Sequence, residues 1–281
     1  MSIALAVTYE LLRFRPVSTA SAQLALATAR TRAPAPPTAR IRRVADVAAR
    51  TVEGRTVYDV TPKRPSATRM LYLPGGCYLY PIQSAHWGIV ANLVERSGVS
   101  VTVPLYGLAP DHTVDEAYGL LDSLDGAGAW LAGDSAGGGL ALGHAMRLRD
   151  VRSPAAGVIL ISPWTDVTLD NPAIAELQRS DRMLATPGLR AAAALWAGSH
   201  DPRSPLVSPL FGDLAGLPPV HIFQGGRDVL AADARLLADG IRAAGGDVQL
   251  EFVEKAFHDY PGAPWLPEAQ RSLRRMAELL A

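Results

Sequence analysis

The sequence predicts an α/β protein built on one mostly parallel sheet, with helices covering both of its faces. Short β-rich runs alternate with helical ones along most of the chain, and most of these runs end in Gly, Pro, Asp or Ser. Strands separated by helices are joined by crossovers, so a parallel order follows. Segment 167–210 departs from the alternation. It holds no convincing strand and is far too long for an ordinary connection, so it reads as an insertion.

The elements follow in order. The opening stretch MSIALAVTYELLRFRP sets Ile3, Val7, Leu11 and Phe14 in a stripe at helical spacing, with Arg13 and Arg15 beside it. We expect a helix docked on the protein's own body in preference to one lying on a membrane surface. Glu10 interrupts the apolar run and no basic n-region precedes it, so neither a signal peptide nor a spanning helix is expected. Residues 30–43, RTRAPAPPTARIRR, carry too much Pro and Arg to pack and read as a linker. Candidate strands then fall at 56–60, 69–73, 100–104, 129–132, 157–162, 220–224 and 248–253. Candidate helices fall at 85–96, 114–124, 138–149, 231–244 and 268–280. Inside the insertion, Thr186 and Pro187 supply an N-cap and an N1 proline, and Gly198 ends the helix, so the segment is expected to lie over the sheet as a lid. The expected division is a helical cap segment and linker at 1–45, a core at 46–166 and 211–281, and a helical cap insertion at 167–210.

Composition narrows the function. The 281 residues can enclose an active site, and the 27 basic and 27 acidic residues balance. Over the whole chain there is no field of one sign to gather nucleic acid, an anionic membrane or a highly charged substrate, so a small, weakly charged substrate fits better. Cys77 is the only cysteine, which excludes an internal disulfide and a zinc site of paired thiolates and makes the reducing cytoplasm the expected setting. Neither nucleic acid nor stable membrane insertion is expected. The oligomeric state stays open, a homodimer included.

Gly133-Asp134-Ser135-Ala136-Gly137 satisfies G-x-S-x-G between a strand candidate and a helix candidate. The pattern has a mechanical reason: a serine at so sharp a turn needs small neighbours, and the alternative is a tight turn without chemistry. A serine hydroxyl is a weak nucleophile until a base takes its proton. His258, in FVEKAFHDYPG, follows the last candidate strand, where its loop meets the ligand-binding edge of a parallel sheet. His112, His144, His200 and His221 suit structural roles, and His86 is kept as a pocket-lining candidate. For the acid, Asp228 in FQGGRDVL is preferred to Asp166 in ISPWTDV, because its strand directly precedes the histidine strand. Asp134 is too near Ser135 along the chain to reach an imidazole, which leaves it a turn hydrogen bond.

Taken together, LYLPGGCYLY, PLYGLAPDH, GDSAGG, SPWTD, SPL, GLPPVHI, GGRD and AFHDY, in that order from about Arg69 onward, resemble the hormone-sensitive-lipase-like group of α/β-hydrolases, which includes many bacterial carboxylesterases. The resemblance implies an α/β-hydrolase fold with a helical cap. It implies Ser135, Asp228 and His258 as a triad, an oxyanion hole from the amides of Gly76, Cys77 and Ala136, and no metal or organic cofactor. Two departures stand out: the stretch between Asp111 and Trp130 is short for the family, and its His-Gly-Gly-Gly is here Pro74-Gly75-Gly76-Cys77. An oxyanion hole needs amides, which Gly76 and Cys77 still carry. The implied activity is hydrolysis of short- to medium-acyl esters or lactones through an acyl-enzyme, with Tyr78, His86, Trp87, Trp164 and Trp196 as pocket lining. The alternatives are a catalytically weak binding protein on the same scaffold, which Pro74 keeps in view, and an amidase or peptidase using the same triad.

Overall fold

A computed structural model describes all residues, 1–281. Helices α1 (Ile3–Leu12), α2 (Ala22–Thr31) and α3 (Ala39–Val44) precede the sheet. Then come β1 (Ala45–Val52), β2 (Arg55–Pro62), β3 (Arg69–Leu73), α4 (Ser84–Ser97), β4 (Ser100–Pro104), α5 (Val114–Asp122), β5 (Trp130–Asp134), α6 (Ala136–Asp150) and β6 (Gly157–Ile161). The chain continues with α7 (Ile174–Leu177), α8 (Thr186–Ala197), β7 (Val220–Arg227), α9 (Ala231–Ala243), β8 (Val248–Phe257) and α10 (Pro267–Leu279). The eight strands lie in the order β1-β2-β4-β3-β5-β6-β7-β8, antiparallel from β1 to β4 and parallel beyond.

Burial explains the strand sequences. Helices α5, α6 and α9 pack one face of the sheet, and α4 and α10 pack the other. A central strand such as β6, GVILI, is therefore apolar on both sides and buried throughout. The parallel strands all end at one edge. That edge receives the glycine loop after β3, Ser135 after β5, Asp228 after β7 and His258 after β8.

Three expectations need correction. Residues 30–43 are more than a linker: 39–43 belong to α3, whose Ile41 is fully buried while its arginines face outward. The preceding proline-rich stretch is tied down, with the Ala35 amide donating to the Ile82 carbonyl and Trp87 Nε1 donating to the Ala35 carbonyl, both at 2.8 Å. Second, α1 does dock on the body, but through Leu5, Tyr9 and Leu12 against Phe257, Tyr260 and Leu266. The stripe Ile3, Val7, Leu11 and Phe14 faces solvent instead. Third, β1 has no counterpart among the expected strands. It is an edge strand with mostly exposed side chains, so it lacks an apolar alternation, and its one signal is the two-residue hairpin turn Glu53-Gly54, both at positive φ.

Thr186 is the first residue of α8, with Ala185 as its N-cap, one position earlier than expected. The N-terminal segment and the 167–210 insertion meet at Thr19, whose Oγ1 accepts from the Ala185 amide at 2.7 Å and whose carbonyl accepts from the Gly188 amide at 2.9 Å. No helix is long and apolar enough to cross a membrane.

Candidate active site

Ser135 sits between β5 and α6 at φ 51°, ψ −122°, a backbone conformation that a non-glycine residue holds only when its surroundings compel it. The compulsion is packing. Helix α6 begins so close to β3 that a Cβ on Gly137 would lie 2.0 Å from the Leu73 carbonyl oxygen. The sharp turn projects Ser135 into a cleft of about 600 Å³ that also receives Gly76, Cys77, His86 and His258.

The Asp228 carboxylate, fully buried after β7, accepts from His258 Nδ1 at 2.8 Å. Gln224 Nε2 also donates to its Oδ2 at 2.8 Å, and the Leu230 amide donates to its Oδ1 at 2.9 Å. The carboxylate is thus satisfied and held in one orientation. Asp166, the competing acid, closes its own turn by accepting from the amide and hydroxyl of Thr168 at 2.8 and 2.7 Å.

His258 Nε2, the nitrogen a serine would use, is taken by Asp259 Oδ2 at 3.1 Å. Asp259 stands in the left-handed region at φ 51°, anchored by its amide to Ser162 Oγ at 3.0 Å. Burial favours a neutral ring, but the carboxylates of Asp259 and Asp228 outweigh it and lift the His258 imidazole well above its ordinary range. Burial in turn drives Asp259 up to about 6, against the pull of the imidazolium. Asp259 was legible in the sequence as the residue after the histidine in FHDY, yet nothing in its spacing marks a second carboxylate on the ring.

The loop after β3 is fastened by side chains whose role the sequence did not reveal. The buried Asp134 carboxylate is no local turn bond: it accepts from the Gly75 amide at 3.1 Å, from the Tyr72 hydroxyl and from His86 Nε2 at 3.1 Å. His86 Nδ1 accepts from the Gln83 amide at 2.8 Å, which leaves the proton on Nε2 and directs it to Asp134. Tyr106 donates to the Pro74 carbonyl at 2.6 Å. Pro74 thus occupies a loop tied down from both sides, without the imidazole that the resembling family places there. Gly76 and Cys77 stand at φ +135° and +56°, and neither amide is spent on a backbone hydrogen bond. Ala136 opens α6, where N–H groups have no intrahelical acceptor.

Of the five residues expected to line the pocket, only His86 does. Tyr78 stacks on Trp196 at 4.2 Å between ring centroids and on Trp164 at 5.6 Å, and all three are buried in the core. Trp87 is buried on the other face of the sheet, edge-on to Tyr58 at 5.3 Å. Large flat rings yield most when both faces are covered, so the interior claimed these aromatics. The cleft wall is made instead by residues such as Leu12, Arg15, Arg32, Tyr80, Met183 and Trp265. No group of three or more His, Cys, Asp or Glu side chains is arranged to hold a metal ion.

The sheet order and its crossovers, with a serine elbow at the carboxyl edge, define an α/β-hydrolase. A family model described as alpha/beta hydrolase fold matches residues 70–262, and the chain belongs to that family. It is 34% identical over 234 residues to an acetyl-hydrolase of Streptomyces hygroscopicus, covering 79% of this chain and 78% of the relative. It is 32% identical over 241 residues to the esterase LipU of Mycobacterium tuberculosis, covering 79% and 80%. Among solved structures, EstE5 superposes with a TM-score of 0.85 at 27% identity, over 100% of this chain and 98% of that one. An esterase of the bacterial hormone-sensitive lipase family superposes at 0.80 and 27%, over 100% and 98%. Fold, relatives and neighbours together make the chain a carboxylesterase-type hydrolase.

Proposed function

We propose that Ser135 is the nucleophile of this carboxylester hydrolase, with His258 as its base and Asp228 orienting the ring. The observation that carries the reading is the strained Ser135 elbow opening into the same cleft as a histidine bound through Nδ1 to a buried carboxylate. Ser135 Oγ attacks the ester carbonyl as its proton passes to His258 Nε2. The tetrahedral oxyanion is held by the amides of Gly76, Cys77 and Ala136, and collapse expels the alcohol, which takes the proton from His258. Water, deprotonated by the same nitrogen, then frees the acid and restores the serine. Residues 1–45 and 167–210 act as the cap, since Leu12, Arg32, Met183 and Leu184 from these two segments wall the cleft. The cleft suits short to medium acyl groups, acetyl included, as the acetyl-hydrolase relative suggests. The single, reduced cysteine supports a cytoplasmic setting. A graded series of p-nitrophenyl acyl esters, run beside a fluorophosphonate probe, tests the reading. Turnover highest on the shorter chains, with one labelled serine, is expected; labelling without turnover would favour a binding scaffold.

Two further outcomes probe the surroundings of the serine. A Cβ on Gly76 would lie 2.2 Å from the Tyr80 carbonyl oxygen. Gly76→Ala must therefore displace the loop and its amides, and we expect kcat to fall by at least about 100-fold. Cys77→Ala keeps its amide and should stay within a few-fold of wild type, because burial pushes the thiol up to about 12 and leaves no thiolate to attack. An unchanged kcat in Gly76→Ala would remove the loop from the mechanism, and a folded but inactive Cys77→Ala would mean that the thiol itself takes part.

The second concerns Asp259, which must release Nε2 before Ser135 can use it. Its negative charge favours the protonated ring, which cannot act as base, so wild-type kcat/KM should fall on acidification from a pH above the ordinary imidazole range. Asp259→Asn removes that charge and should carry the acid limb to lower pH, with the high-pH plateau within a few-fold of wild type. An unmoved limb would show that Asp259 does not govern the base.

A further inference from the structure

Helix α1 is apolar on two opposite faces, and the protein covers only one of them. Leu5, Tyr9 and Leu12 pack inward, while Ile3 is 84% and Phe14 72% exposed, with Val7 and Leu11 exposed between them. A helix apolar all round belongs in a core or against an apolar partner, and a contiguous stripe of four large side chains in water marks an interaction surface. Trp265, 66% exposed, extends the patch: its Nε1 reaches Thr8 Oγ1 at 3.4 Å.

Charge beside the patch leans basic, although the chain as a whole is neutral: residues 1–32 hold Arg13, Arg15, Arg30 and Arg32 against Glu10. Arg13 lies over the exposed Phe14 ring at 4.6 Å, whereas Arg182 and Arg227 lie over the ring of the inward-facing Tyr9, on the covered side of the helix, at 3.8 and 3.9 Å. Arg15 and Arg32, on the cleft wall, make no salt bridge. Arg13 and Arg182 share the Glu10 carboxylate at 3.7 and 3.1 Å, and Glu268 accepts from the amide and hydroxyl of Ser2, so Arg15 and Arg32 are the cleft-wall arginines without a carboxylate partner. Position completes the picture, because Thr8, Leu12, Arg15 and Trp265 also line the cleft that contains Ser135.

From these three observations we infer that the outer face of α1, with Trp265, docks the protein on an anionic lipid bilayer, with the mouth of the cleft facing the headgroups. The aliphatic stripe enters the acyl boundary, the indole sits at headgroup level, and the arginines meet lipid phosphates. A second copy of this chain is a poorer occupant, since pairing the patch with itself would set its arginines against their equals. The inference rests on the surface alone and holds whether or not Ser135 is the nucleophile. It gives an ester dissolved in the bilayer a path into the cleft.

Vesicle flotation tests it without using the enzymatic activity. The full chain should float with vesicles of equal phosphatidylglycerol and phosphatidylcholine, bind phosphatidylcholine vesicles less, and be released by added salt. Tryptophan emission should move to the blue on binding, and Trp265→Phe should remove that movement. The variant Ile3→Gln/Val7→Gln/Leu11→Gln alters only exposed side chains, so its thermal melt should match wild type while partitioning falls by at least about 100-fold. Failure to float with the anionic vesicles, or flotation that survives the triple substitution, would overturn the proposal. So would a homodimer in sedimentation velocity that the triple substitution dissociates, since that would assign the face to a second copy.

Discussion

Ser135→Ala is expected to lower kcat on any accepted ester by about 10⁴- to 10⁶-fold and to abolish phosphonate labelling. The substitution removes one oxygen atom from a side chain that is almost wholly buried at the floor of the cleft. It leaves the elbow intact, because the turn is held by main chain: the Ser135 amide donates to the Ile161 carbonyl at 2.8 Å, and its carbonyl accepts from the Gly138 and Trp164 amides at 3.0 and 2.9 Å. Stability should therefore be unchanged, and KM for a slowly turned-over ester should stay near wild type. What survives is catalysis by the oxyanion amides and by binding alone. Peptide mapping of the phosphonate adduct is the decisive measurement, and a label on any other serine would remove Ser135 from the mechanism.

Asp228→Asn should cost about 10⁴-fold in kcat. Asp228 accepts three hydrogen bonds, from His258 Nδ1, Gln224 Nε2 and the Leu230 amide. An asparagine amide offers one oxygen and one NH₂ in their place, so one donor must face another donor. If its NH₂ faces the ring, Nδ1 is made the acceptor and the proton moves to Nε2, the nitrogen that must accept from Ser135. Asp166→Asn is the control. Its carboxylate caps the turn to Thr168, and kcat should stay within a few-fold while thermal stability falls modestly. Steady-state kinetics on one ester, with melting curves for both variants, separates the two acids, and reversed losses would exchange their roles.

Elements whose identity is written in local pattern were legible. Strands β3 and β4 fall at the residues expected of them, and α4, α5, α6, α9 and α10 within two residues at each end, because breakers bound them and burial dictates their apolar content. Edge strand β1 was not, since pairing on one side with exposed side chains requires no apolar pattern. Nor was α3 within a proline- and arginine-rich stretch, where one buried residue, Ile41, is the whole signal. The candidate serine, acid and base were picked out by their order along the chain and by the strand each follows, and the fold sets the acid on the histidine and brings serine and histidine to one cleft.

What the sequence by itself determined is the set of local necessities: alternating elements, small residues where the chain turns sharply around Ser135, and a histidine and an aspartate at the ends of successive strands. What only the tertiary structure decided is which groups meet. Asp134 reaches Gly75, Tyr72 and His86 across the loop, Asp259 takes the free nitrogen of His258, and Tyr78, Trp164 and Trp196 turn into the core and away from the cleft. It also decided which of the two apolar faces of α1 docks and which is left bare. Periodicity along a chain states that a face is apolar and leaves open what covers it, because burial is a relation between segments hundreds of residues apart, set by the competition of all apolar surfaces for one interior.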